Sequence, residues 1–386
     1  MIFLDNNSTT RVDDRVIEAM MPYLTEKYGN PHSEFHKIGL ETRNALESSR
    51  RSIGNIFDVE SEGVIFTSGA TESNNMYIKG VALKARETGN KRNKIFCSAI
   101  EHKCVLEACF FCRSLGFEVE LIPVGISGKV DMKWLEENVD DTTLLISVMG
   151  VNNETGLRTN LEEISQLCLK RGVLFHSDLV QALHGECFNF SDIAFDAVSI
   201  SGHKIHGPKG VGALICSSSP SDIIIPTMHG GLQEQEVKSG TVPVFLSVGL
   251  SKALEILIEN HKKNKEHILK LRRKFIDSLK KGAGDISINF EASDGHPGTL
   301  NVAFRGVEAD VMCARLGSKV AVSATAACSG VNFEYSHVLQ NMGISTKVAK
   351  SSIRLCFSKY NDLSEVETAL DIIVSEYQEA KALLLQ

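Results

Sequence analysis

The sequence predicts an α/β protein: a large, mostly parallel sheet covered by helices, followed by a smaller α+β unit. Three observations predict it. From about residue 60 to 216, short apolar runs alternate with helical stretches, the pattern of parallel strands with helices on both faces. Beyond about residue 245 the pattern becomes one long helix, then strand-like pieces, then a last helix rich in Leu and Glu. The length of 386 residues leaves room for two ample cores. The expected division is a segment 1–14 at the junction, a large unit 15–250 and a small C-terminal unit 251–386.

The elements follow in order. GVIFTSG, KIFCSAI, VELIPV, TLLISVMG, VLFHSD, AVSISG and GALIC are the strand candidates of the large sheet. LEEISQLCLKRG has apolar residues at helical spacing and a glycine stop after Arg171. The stretch from Leu246 to Gly282 reads as one long helix, and GTLNVAF, KVAVSA and SSIRLCF as strands of the small unit. Sheets of the first kind bind ligands at the carboxyl ends of their strands, so functional residues are expected just after the apolar runs.

Composition narrows the function. An apolar share of 43 % and a charged share of 23 % are ordinary for a soluble globular protein. A net charge of -7 argues against a polyanion-binding surface, and a single Trp against a base-stacking platform. Direct nucleic-acid binding is therefore not expected. No apolar run approaches the ~18 residues of a spanning helix, and MIFLDNNSTT lacks the basic start and apolar stretch of a signal peptide. A cytoplasmic protein is expected, with its ten cysteines as thiols rather than a disulfide framework. Cys109 and Cys112 form a lone CxxC in an amphipathic setting and read as buried core thiols.

Three stretches carry chemistry. FTSGATESNN follows a strand and opens a helix; Gly69 allows a tight turn, and Ala70 and Thr71 offer amide donors to an anion. The same residues suit an ordinary N-cap, with Ser68 or Thr71 capping. VLFHSDLVQAL ends a strand with Asp178, three residues before Gln181. That carboxylate can hold a cationic ring nitrogen, or cap a helix. SISGHKIHGPKG sets Lys204 after a strand between Ser201, His203 and His206. A partly desolvated lysine can form a Schiff base, and neighbouring Ser and His can bind phosphate; a surface lysine in a Gly/Pro turn is the plainer alternative. Together, an anion site, a carboxylate for a pyridine nitrogen and a lysine for an aldehyde fit one cofactor, pyridoxal phosphate. AVSATAACSGVNF adds Cys328 among small residues, which bury little area and hold a segment weakly.

On these stretches the sequence resembles the cysteine desulfurase family of iron–sulfur-assembly and nitrogen-fixation type, which is class V aminotransferase-like. The ordered motifs are FLDNNSTT, GNPHSEFHKIG, FTSGATESNN, EHKCVLE, VNNETG, FHSDLVQAL, SGHKIHGPKG, SGTVPV, SATAACSG and SSIRLCFSKY, covering nearly the whole chain. The resemblance implies the fold-type I architecture of pyridoxal-phosphate enzymes and a homodimer. It implies that Lys204 carries the cofactor and moves the Cα proton, while Asp178 pairs with the ring nitrogen. His102 stacks on the ring and handles protons, and Gln181 contacts the ring hydroxyl. Ala70, Thr71, Ser201 and His203 hold the phosphate, joined by Thr241 from the partner subunit. Arg354 binds the substrate carboxylate with Asn153 nearby, and Cys328 takes the sulfur. No resident metal is implied, although Cys328 could transiently ligate an iron–sulfur cluster.

The implied reaction converts L-cysteine to L-alanine and leaves a persulfide on Cys328 for a sulfur-acceptor or scaffold protein. A selenocysteine lyase, or a weakly active sulfur-transfer scaffold, are the alternatives. Two motifs depart from the family pattern. Thr325-Ala326-Ala327-Cys328 replaces Gly-Ser-Ala-Cys, and GGLQEQE with Lys238 replaces Gly-Gly-Gly-Gln-Glu-Arg-Gly with an arginine. Lysine keeps the charge and loses the planar fork.

Overall fold

The computed structural model describes residues 1–183, 192–290, 295–325 and 336–384. Its strands, in chain order, are β1 (Ile2–Phe3), β2 (Val64–Thr67), β3 (Lys94–Ser98), β4 (Glu118–Ile122), β5 (Thr143–Ser147), β6 (Leu174–Asp178) and β7 (Ala197–Ser201). They continue with β8 (Gly212–Cys216), β9 (Ile286–Ile288), β10 (Thr299–Phe304), β11 (Val320–Ala321), β12 (Ser323–Ala324) and β13 (Ser352–Cys356). Every strand candidate of the large sheet is realised. The seven-stranded order is β2-β8-β7-β6-β5-β3-β4. Neighbours pair in parallel from β7 to β4, and β8 runs antiparallel to both β7 and β2.

Strands β5, β7 and β8 are buried along their whole length. This is the mark of a sheet covered on both faces, and it explains runs such as TLLIS and AVSIS. One face packs Phe57, Phe66, Phe175 and Ile200; the other packs Tyr77, Val105, Leu145 and Leu214 under the helices Ala70–Glu87 and Lys103–Ser114. Cys109 and Cys112 lie fully buried in that second layer, as core thiols. The helix Leu161–Arg171 ends at Gly172, whose φ of 61° is the left-handed conformation that stops a helix there.

Strands β12-β13-β10-β9 form a second, antiparallel sheet. Its core joins Leu4, Phe275, Leu300, Phe304, Leu355 and Tyr377. The long helix runs Val244–Gly282 without interruption, so it passes through residue 250 and lends side chains to both cores. The N-terminal segment also crosses. β1 pairs with β11, Leu4 packs into the second core, and the Thr10 and Asp13 amides donate to the His203 and His206 carbonyls. It thereby ties the second sheet to the loop after β7. Among the described residues no helix is long and apolar enough to cross a membrane.

Candidate active site

The carboxyl ends of the parallel strands open into a cavity of about 640 Å³. It is lined by Ala70, Thr71, His102, Asn153, Asp178, Gln181, Ser201, His203, Lys204 and Arg354. These are ten of the twelve residues singled out in the sequence, and they come from the carboxyl ends of five strands of the large sheet, with the segments that follow them, and from one strand of the second sheet. Thr241 stands exposed, three residues before the helix Val244–Gly282 begins, and is not among the lining residues. Cys328 lies outside the described residues. A second cavity, of about 500 Å³ beneath Phe57 and Phe195, presents Asp58 and Asp196 but, among the described residues, no cation.

Lys204 closes the single turn Gly202–Lys204 that follows β7. Its Nζ donates to the Ser8 carbonyl at 2.8 Å and to the Asn7 carbonyl. Asp178 is the last residue of β6 and is buried. One carboxylate oxygen accepts from the Val180 amide at 3.0 Å, the other from Asn74 Nδ2 at 2.8 Å. Among the described residues no helix follows for it to cap; residues 180–183 are a turn. Gln181 donates to the Asn7 carbonyl at 2.9 Å, and its buried Oε1 has no partner among the described residues.

Helix Ala70–Glu87 begins after Gly69, whose φ of 153° needs glycine. No side chain caps it, so neither Ser68 nor Thr71 takes the N-cap role; Glu72 folds back to accept from the Ser68 amide. The first amides of an 18-residue helix thus face the cavity uncapped, beside Ser201 and His203. His203 Nδ1 lies 3.2 Å from Thr9 Oγ1. Burial, reinforced by Lys204 and Lys209, pushes its imidazole down to about 4. It is therefore neutral at neutral pH and can offer a hydrogen bond but no charge.

His102 is the N-cap of helix Lys103–Ser114. Its ring is open to the cavity, yet surrounding protein lowers its pKa below the ordinary imidazole value. The nearby Asp178 opposes that shift and Lys204 adds to it. Next to it, Glu101 is fully buried and raised to about 8 by burial. One Glu101 oxygen accepts from Ser98 Oγ at 2.6 Å and the Met149 amide at 2.7 Å.

Arg354 projects from β13 across the junction. It donates to Asp5 at 3.0 Å, Ser8 Oγ at 2.8 Å and the Asn153 carbonyl at 3.0 Å. Among the described residues its buried Nε has no partner. Both described flanks of residues 326–335 bond to cavity-lining residues or to their near neighbours in the chain. Ser323 pairs in register with Arg354, and Thr325 Oγ1 donates to the Ser352 carbonyl at 2.7 Å. Beyond the segment, Ser336 donates to Glu154 and His337 Nε2 to the Glu101 carbonyl at 2.9 Å.

A family model for class-V aminotransferases matches residues 2–369. The chain belongs to the class-V aminotransferases, in their cysteine desulfurase branch. It is 39 % identical over 382 residues to the cysteine desulfurase IscS of Rickettsia bellii, covering 99 % of this chain and 92 % of that protein. A solved NifS-like protein superposes with a TM-score of 0.89 at 35 % identity, covering 97 % of this chain and 98 % of the other. A structure of SspA in complex with cysteine superposes with a TM-score of 0.81 at 30 % identity, covering 94 % of this chain and all of the other. This desulfurase chain therefore has the pyridoxal-phosphate fold-type I architecture expected from its sequence.

Sequence reasoning missed five contributors. Asn7 accepts from both Gln181 and Lys204, and donates to Asn153 and Thr299. Ser8 and Asp5 hold Arg354. Their only signal was the polar run DNNSTT, which states no partner. Cys104 and Asn74, within motifs otherwise read for their neighbours, line or back the cavity.

Proposed function

We propose that this enzyme moves the sulfur of L-cysteine onto Cys328 and releases L-alanine, and that it uses pyridoxal phosphate to do so. In balance, the Cβ–S bond of cysteine breaks and an S–S bond forms at Cys328. The Cys328 thiol proton and the moved Cα proton complete alanine and the persulfide. The observation that carries the reading is the convergence of Lys204, Asp178 and the uncapped helix start on one cavity.

The residues present fit the cofactor. Its phosphate suits the free amides at Ala70 and Thr71 together with Ser201 and His203. The buried Asp178 suits a protonated ring nitrogen, and the orphaned Gln181 Oε1 suits the ring hydroxyl. When bound, pyridoxal phosphate supplies an aldehyde for an amine and an electron sink for the bond cleavage. Lys204 holds its amine at the strand end and serves as the base for the Cα proton. Asp178 is held rigid by Asn74 and the Val180 amide, so its charge stays aimed into the cavity. His102, kept neutral, can move a proton at the same face. Arg354 and Asn153 orient the substrate carboxylate; the buried, unpartnered Nε is the donor that Arg354 still has to give.

Homodimerisation brings the exposed Thr241 to the partner subunit's phosphate site in this reading. The division into 1–14, 15–250 and 251–386 then corresponds to a junction, a cofactor-binding unit and a unit carrying the Cys328 segment. The protein acts in the cytoplasm and passes sulfur to an acceptor or scaffold protein of the iron–sulfur-assembly kind. The test is mass spectrometry after cysteine treatment: the wild type gains one sulfur at Cys328, and alanine is released in proportion to turnover. Parallel turnover of selenocysteine measures the lyase alternative. Alanine release at the wild-type rate by Cys328→Ala would refute the mechanism.

A further inference from the structure

Four side chains beside the cavity form one directed hydrogen-bond chain. His102 Nδ1 accepts the Cys104 backbone N–H at 3.2 Å. An amide can only donate, so Nδ1 presents its lone pair and, in the neutral ring, the proton sits on Nε2. The same Nδ1 lies 3.0 Å from Cys104 Sγ. With Nδ1 an acceptor, the thiol is the donor in that contact. Cys104 Sγ in turn accepts from Asn74 Nδ2 at 3.2 Å, and Asn74 Nδ2 also donates to Asp178 Oδ2 at 2.8 Å.

The direction of the chain is decided by charge. Asn74 is fully buried, and among the described residues its Oδ1 has no partner. Flipping the amide would set that oxygen against the Asp178 carboxylate, which is repulsive, so the NH₂ stays toward Asp178 and Cys104. The Thr71 hydroxyl also hydrogen-bonds to Cys104 and, like Asn74, acts as a donor to the sulfur; occupied as an acceptor by both, Cys104 Sγ points its hydrogen at His102.

We propose that Cys104 is a positioning residue that holds His102 as a neutral imidazole with its proton on Nε2, directed toward the cavity. The inference rests on the reading of His102 given above and adds what sets its protonation. Burial raises the Cys104 thiol to about 12. It therefore stays protonated at neutral pH, a dependable donor and a poor nucleophile. Among the described residues, the charged or titratable groups that act most on His102 are Asp178, Lys204, His337 and Lys103. Asp178 favours the imidazolium and the other three oppose it. The thiol adds a hydrogen bond that only the neutral ring can accept.

The test uses the full-length protein labelled with 15N-histidine, first without cofactor. In the wild type, His102 Nδ1 should resonate as an unprotonated ring nitrogen at neutral pH. Cys104→Ala should raise the His102 pKa by about one unit, the size of one lost hydrogen bond. Cys104→Ser, which restores a donor, should bring it back. An unchanged His102 pKa in Cys104→Ala, or a protonated Nδ1 in the wild type, would overturn the proposal. The holoenzyme gives a second readout, the acid limb of the turnover profile. A limb that moves with the resonance supports both positioning and the role of His102. A resonance that moves without the limb supports the positioning and counts against that role alone.

Discussion

The GGLQEQE stretch is held by a buried ion pair, and breaking it should release the segment that presents Thr241. Glu234, Gln235 and Glu236 have φ values of 47°, 55° and 65°, left-handed conformations that cost L-residues about 1–2 kcal/mol each. Three in succession store about 3–6 kcal/mol. What holds them is Glu234, whose side chain is 1 % exposed and faces Arg50 at 4 %. Arg50 donates to it at 2.7 and 3.1 Å, and the Phe66 amide at 2.6 Å. Removing one member of a buried pair costs about 3–5 kcal/mol, because the survivor is left charged and unpaired. In Glu234→Ala this loss is comparable to the strain relieved when the turn lets go. Local detachment should therefore come before global unfolding. At 3 kcal/mol, amide exchange in peptides spanning 230–243 should accelerate about a hundredfold, with a much smaller change in the peptides of β5 and β7. The charge-free double variant Arg50→Met, Glu234→Leu should recover much of the folding stability without restoring the turn. Unchanged exchange over 230–243 in Glu234→Ala would refute the latch. If Thr241 completes the partner's phosphate site, the single variant should also shed cofactor faster on dilution.

Four further outcomes follow from the same geometry. Borohydride reduction of the holoenzyme followed by peptide mapping should place the pyridoxyl group on Lys204; recovery on Lys209 would refute the assignment. Asp178→Ala removes the partner of Asn74 and of the ring nitrogen, on the order of several kcal/mol, so cofactor content measured by absorbance should fall sharply; full retention with normal turnover rules the role out. Burial holds His176 at about 3, below its ordinary value, between Ser147 and Ser199. The unfolded chain then binds the extra proton as pH falls from 6.5 toward 3, so the stability of the neutral buried ring is intact at high pH and declines by about 2 kcal/mol by pH 5. His176→Gln should flatten that acid slope in denaturant titrations, and an unaltered slope would exclude His176 as its source. Glu101 has the opposite sign: its folded pKa is raised to about 8, so its contribution is present at low pH and is lost as pH rises above 4.5 toward 8. Glu101→Gln should remove that alkaline decline.

The sequence by itself determined whatever is encoded within a few residues. Each apolar run became a strand because its period and burial agree, and the groups just after it could only fall at the carboxyl edge. That is why Asp178 at the end of VLFHSD, Lys204 after AVSIS and Ala70 after VIFTSG were all readable, and why the helix stop at Gly172 was too. The tertiary structure alone decided what crosses between distant segments. Asn7 meets Gln181 and Lys204, Asp5 meets Arg354, and Glu234 meets Arg50. Each pairing spans well over a hundred residues and leaves no periodicity in the chain. The long helix shows the same limit: its apolar spacing is visible, but not that one helix serves both cores. Nor could the motif EHKCVLE state that its thiol turns toward His102. That direction exists only because Asn74, from another helix, is locked by the Asp178 carboxylate. Local pattern is written in the identities of neighbouring residues, whereas partner and direction come from packing, which brings charges and donors together only after the chain has closed its long loops.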